Sequence, residues 1–142
     1  MLTINNLFRR ISAFTTTEIS DSDLNDHYIP SAKEYYCRLC ELTFSLTLTG
    51  GEYTSTDTTY PEREYMHNTI IAELASSRAD AKMDNIHIDP VTGMMIDLHY
   101  DRAIDLMRNN YGVYNKKTGE LVLPLHLKSS TVVLGGISDA SY

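Results

Sequence analysis

The segment N-I-H-I-D-P-V-T-G-M-M-I-D-L-H-Y-D-R-A-I-D-L-M-R-N, Asn85–Asn109, decides how the chain is to be read, because it joins the sharpest turn signal to most of the side chains capable of chemistry. Its turn runs from Asp89 to Gly93. Pro90 presets a negative φ, the Asp89 carboxylate accepts from the backbone further on, and Gly93 supplies a left-handed closing residue. Beyond Gly93 two periods compete. Met95, Ile96, His99, Tyr100, Ala103, Ile104, Leu106 and Met107 share one helical arc, opposite Asp97, Asp101, Asp105 and Arg108. Met94 and Leu98 break that arc and fit an alternating strand. The favoured expectation is therefore a strand over Met94–Tyr100, then a helix from Arg102 to Asn110 capped by Asp101, with Gly112 just past its end.

The residues before the turn read as a helix from Pro61 to Met83, with Met66, Ile70, Ile71, Leu74 and Ala75 as its buried stripe. Glu62 and Glu64 favour its positive end, and Arg78 and Lys82 its negative end. Earlier, Leu42, Phe44, Leu46 and Leu48 alternate with hydroxyl residues, the period of a half-buried strand, which Gly50 and Gly51 turn into a hairpin toward Glu52 and Tyr53. Residues Thr54 to Thr59 read as a loop or exposed edge. Ser31 and Glu34 have capping-box spacing, so a helix is expected from Ala32; whether Tyr35–Cys40 continues it or extends the strand stays open. Thr15–Asp26 is polar and acidic and reads as a loop. At the N-terminus Thr3 caps a helix with Ile4, Leu7, Phe8, Ile11 and Phe14 on one stripe and Asn5, Asn6, Arg9 and Arg10 in water. Downstream, Val113–Tyr114 and Leu121–Leu123 form a hairpin about the turn Asn115–Gly119, and Pro124 restricts that arm to a sheet edge or ends it.

The overall expectation is one α+β domain over residues 1–142, an antiparallel sheet with helices packed on one face and a polar tail over 138–142. A chain of 142 residues holds a sizeable core without staples. Its net charge of −7 argues against nucleic acid as partner, and no apolar run reaches the ~20 residues of a membrane span. Cys37 and Cys40 are too close together to staple the fold, which points to a reducing, cytoplasmic setting. The alternative for Leu2–Thr17, with two arginines and no acid, is an organelle-targeting segment.

Cys37-Arg38-Leu39-Cys40 has the spacing of a zinc half-site or redox pair, but no second half-site follows and a helix N-terminus is not expected at the first thiol, so both cysteines are read as buried apolar residues. His87, Asp89, Asp97, His99 and Asp101 are metal-ligand types in one stretch. With a four-residue loop, Pro90 to Gly93, His87 faces Ile96 and the two histidines point to opposite faces; a three-residue loop would align them. The expectation is no metal and no cofactor.

Asp89-Pro-Val-Thr-Gly-Met-Met-Ile-Asp97, following the alternating strand Leu42–Leu48, resembles the strand-turn-strand stretch before the first helix of the 6-pyruvoyl tetrahydropterin synthase family. The resemblance implies a small-molecule enzyme with a site around His87–Asp101, yet that family's zinc histidines, including its H-x-H pair, have no counterpart in this chain. The primary expectation is a non-enzymatic protein-binding or assembly protein, a viral or bacterial accessory component, with a protein partner or a second copy of itself. The candidate interaction edge is Thr131, Val132, Val133 and Leu134, a β-prone run apolar on both faces, beyond Pro124 and before Gly135 and Gly136.

Overall fold

A computed structural model describes residues 2–83, 87–88, 90–92 and 95–127. The fold is α+β, with helices predominant and antiparallel strand pairs between them. The organising element is α4, Glu64–Lys82, entered through a 3-10 turn over Pro61–Arg63. Of the stripe expected of it, Ile70, Ile71, Leu74 and Ala75 are buried and Met66 half-buried, but most of its circumference is enclosed too: His67, Asn68, Ala72, Glu73, Ser76, Ser77 and Ala79 are buried as well. Helices α1 (Ile4–Ser12), α3 (Ile29–Cys40) and α5 (Leu98–Tyr111) and strand β2 (Glu52–Thr56) pack around it. Small side chains such as Ala72, Ala75, Ser76 and Ala79 are what let neighbours close on several sides, because interaxial distance follows side-chain size.

Helix α1 starts as expected, with the Thr3 hydroxyl accepting from the Asn6 amide at 3.1 Å, and it buries Ile4, Leu7 and Phe8. Asn5, expected in water, is only 5% exposed. The acidic stretch after α1 is not a loop throughout. Ser20 caps a short helix, α2, at Asp21–Asp23, which continues through a π turn at Leu24–Tyr28 into α3. The widened turn precedes Pro30, which has no N–H to give and whose ring would strike the carbonyl four residues back in an unbroken α-helix. Buried Ile19 and Leu24 hold this segment on the core, the contribution its polar neighbours mask in sequence. Ser31 lies inside the helix and so does not cap it. The open question over Tyr35–Cys40 resolves as helix, closed by Glu41 in the left-handed conformation at φ 56°.

Strands β1 (Ser45–Thr49) and β2 form a hairpin in the register Thr49 to Glu52 through Ser45 to Thr56. Gly50 and Gly51 at φ 62° and 80° make the two-residue turn whose twist matches the strands. Thr54–Thr56, expected as a loop or an exposed edge, complete β2, with Ser55 facing the core and its amide donating to the Asn68 side chain at 2.8 Å. Strands β3 (His87–Ile88) and β4 (Met95–Ile96) pair with His87 opposite Ile96, the register of a four-residue loop. Asp89, Gly93 and Met94 of that turn lie outside the described residues. The expected strand over Met94–Tyr100 is shorter, and α5 begins at Leu98 rather than Arg102, because Asp97 and not Asp101 caps it, accepting from the Tyr100 amide at 3.0 Å. Strands β5 (Val113–Tyr114) and β6 (Leu121–Val122) form the expected second hairpin. Among the described residues the strands make three separate two-stranded ladders. Pro124 opens a helical turn over 124–127.

Candidate functional site

Two histidines organise the polar interior, and α4 contributes to both centres. The first joins α3, α4 and the segment after β2. The Tyr36 hydroxyl bonds His67 Nδ1 at 2.6 Å, His67 Nε2 bonds Asp57 Oδ2 at 2.9 Å, and Asp57 Oδ1 accepts from the Thr59 and Tyr60 amides. Phe44 stacks flat on the imidazole, centroids 4.1 Å apart. Burial pushes His67 below its ordinary value and outweighs the opposing pull of Asp57. Burial pushes the Asp57 carboxyl up, but the His67 bond and the two amides overcome this and hold it low. Burial thus favours a neutral His67 beside an ionised Asp57, with Nε2 carrying the proton toward Oδ2, and the single Tyr36 hydroxyl hydrogen is shared between Nδ1 and the Tyr111 hydroxyl 3.0 Å away. Tyr36 and His67 are 0% exposed and Asp57 6%, which leaves a substrate no approach.

The second centre docks α5 on α4. His99 Nδ1 bonds Glu73 Oε1 at 2.8 Å, and its Nε2 lies 3.7 Å from Asp80 Oδ2. The bond to Glu73 and the charge of both carboxylates raise His99 above its ordinary value despite burial, favouring the cation. One turn away, Ser77 Oγ donates to Asp97 Oδ2 at 2.6 Å. A cavity of about 210 Å³ opens beside them, lined by Tyr35, Leu74, Ser77, Arg78, Ala81 and Tyr100, with the two tyrosine hydroxyls 2.7 Å apart. Burial, then the Tyr35 bond, pushes the Tyr100 phenol up to about 12.

Of the titratable cluster expected around the turn, Asp97 and His99 thus meet α4, while the Asp101 side chain is exposed and His87 is placed only by its strand register. Among the described residues no group of three or more His, Cys, Asp or Glu side chains is arranged to hold a metal. Cys37 and Cys40 are free thiols on α3, half-buried and buried. Burial raises both, Cys40 to about 12, the opposite of what a reactive pair requires. Asp57, His67 and Glu73 were not singled out from sequence; His67 did carry a signal, standing three and four residues before Ile70 and Ile71 on the apolar stripe.

The third feature is an open sheet edge. Thr49 and Glu52 flank a two-residue turn, so Ser45, Thr47 and Thr49 direct their backbone groups to β2, and Leu46 and Leu48 direct theirs away. Among the described residues no strand takes those outward groups. Strand β1 carries no charge and no proline, and Leu48 is 53% exposed although it lies on the same face as half-buried Leu46. The interaction edge expected at Thr131, Val132, Val133 and Leu134 lies outside the described residues. Among the described residues no helix is long and apolar enough to cross a membrane. The chain matches no protein-family model, no curated protein and no solved structure, so the pterin-synthase resemblance rests on its nine residues and the preceding strand alone.

Proposed function

We propose that this chain is a non-enzymatic protein-binding or assembly protein that accepts a strand from another polypeptide at the β1 edge. The observation that carries the reading is the uncharged edge of β1, unpaired among the described residues, with an exposed leucine beside it. Unprotected edges of this kind are templates for strand addition, in which backbone bonds supply affinity and alternate side chains supply selectivity. The buried centres support the same reading from the other side. The Tyr36–His67–Asp57 row is enclosed, and His99, held toward its cationic form between Glu73 and Asp80, lacks the lone pair a general base needs. A protein partner suits the net charge of −7 better than nucleic acid does, and a cytoplasmic, reducing location suits two free thiols.

A small-molecule enzyme is the second reading, favoured by the Ser77–Asp97 bond at the rim of the 210 Å³ cavity. The two part experimentally at Leu48→Pro, which removes one outward edge amide without touching either histidine centre. In extract of its source, the wild type should run in a complex larger than its own 16.1 kDa, and Leu48→Pro should run free. Identical free migration of both proteins would overturn the binding reading.

A further inference from the structure

We infer that the strand accepted at this edge is β1 of a second copy, paired antiparallel about a two-fold axis through Thr47. The inference rests on the strand-binding reading and names its partner. Ser45-Leu46-Thr47-Leu48-Thr49 is chemically palindromic about its centre. Set antiparallel to itself, it places Leu46 opposite the partner's Leu48, Leu48 opposite the partner's Leu46, and Ser45 opposite the partner's Thr49. The self-matched contact is what a two-fold interface requires, the same patch serving both copies.

Hydrogen-bond parity selects the same register. The outward groups of β1 belong to Leu46 and Leu48, and bonded pairs in an antiparallel ladder recur every second residue. Centring on Thr47 makes both leucine pairs bonded pairs, each exchanging two bonds, and leaves Thr47 facing its twin as a non-bonded pair. A shift of one residue would set each leucine opposite a residue whose own backbone groups are turned to its β2, and forfeit all four bonds. The two-fold pairing turns two ribbons into one four-stranded antiparallel sheet, and isolated two-stranded ribbons are marginal in water.

Side chains agree with the backbone. Leu46 and Leu48 stand on the face that β2 turns to the core through Ser55 and Tyr53. The main packing of α1 and α4 on this hairpin is against β2, and the 53%-exposed Leu48 overhangs it. In the paired form four leucines line one face, each Leu48 covered by its partner's Leu46. The other face carries the Thr47 hydroxyls, already bonded to Thr56 within each chain. With no charge in β1, two copies of a chain of net charge −7 meet at an edge without facing like charges.

The test uses the full chain and two kinds of variant. Sedimentation from low to high concentration should show the mass moving from 16.1 kDa toward twice that value, with at least ten-fold weaker association for Leu48→Pro. Independently, Thr47→Cys should form a covalent dimer with oxidised glutathione as electron acceptor, since a non-bonded antiparallel pair brings the Cα atoms within disulfide reach. Ser45→Cys should not, because the two copies of residue 45 stand about 13 Å apart at the strand rise. A wild type monomeric at every concentration overturns the inference, as does association unaffected by Leu48→Pro, or equal cross-linking at residues 45 and 47. If a monomer binds a different protein at β1, only the second-copy inference falls; if it forms no complex with any chain, the strand-binding reading falls with it. Concentration-independent protection of the Leu46 and Leu48 amides in a monomer would assign the edge to the chain's own residues and overturn the inference.

Discussion

Replacing Tyr36 by phenylalanine removes one oxygen from the middle of the buried row and leaves the ring packed between Phe44, His67 and Tyr111. No cavity of consequence opens, so the cost is electrostatic. His67 Nδ1, 0% exposed with its residue, loses the hydroxyl 2.6 Å away, and Phe44 stacked on the ring bars water from replacing it. An orphaned buried acceptor costs about 1–3 kcal/mol, so a loss near 2 kcal/mol is expected. At roughly 4 °C per kcal/mol for a domain of this size, the melting temperature should fall by about 8 °C. Tyr111→Phe supplies the control. Its hydroxyl also bonds Tyr36, at 3.0 Å, but the residue is only half-buried, so water can substitute and the expected loss is under about 1 kcal/mol. Urea unfolding of the three proteins at neutral pH measures the difference. A Tyr36→Phe midpoint equal to wild type, or no lower than that of Tyr111→Phe, would refute the assignment of Nδ1 as an acceptor satisfied by Tyr36.

The two histidines pull the pH dependence of stability in opposite directions. His67 is depressed on folding, so its contribution is present above 6.5 and lost as pH falls from there toward its folded value; His99 is raised, so its contribution is full below 6.5 and lost as pH rises through its folded value. His99→Gln should remove the alkaline decline and keep the acid one in melts from pH 5 to 9, and an unchanged alkaline slope would contradict the Glu73 pairing. Asn5→Ala should destabilise the β1–β2 hairpin by about 1–3 kcal/mol, since Asn5 Oδ1 accepts from the Tyr53 amide at 2.7 Å and Nδ2 donates to Asn25, which in turn holds the Gly51 carbonyl. Faster exchange of the Tyr53 amide is its direct readout. Gly112→Ala should cost about 1–3 kcal/mol, because a Cβ there would sit 2.6 Å from the Arg108 carbonyl and 2.9 Å from the Leu121 side chain; a variant melting with wild type would show that β6 gives way freely.

Local rules were legible where local physics decides. Thr3 capped its helix, Gly50 and Gly51 made their hairpin, and the Pro61 start and Gly112 stop bounded α4 and α5, because caps and turns are satisfied by residues within a few positions of one another. The α+β class followed from the same signals. Where a residue's partner lies far along the chain, sequence reading failed in a consistent way. Asn5 looked wet because its partners, Asn25 and Tyr53, come from other elements. The α4 stripe looked one-sided because Ala72, Ser76 and Ala79 are neutral in a hydrophobic period yet suit close helix approach. Asp97 outcompeted Asp101 for the α5 cap, where it also takes the Ser77 hydroxyl twenty residues back. The histidine centres needed folding most of all: Asp57, His67 and Tyr36 share no motif, and only packing three segments around α4 removes the water that would otherwise satisfy each group separately.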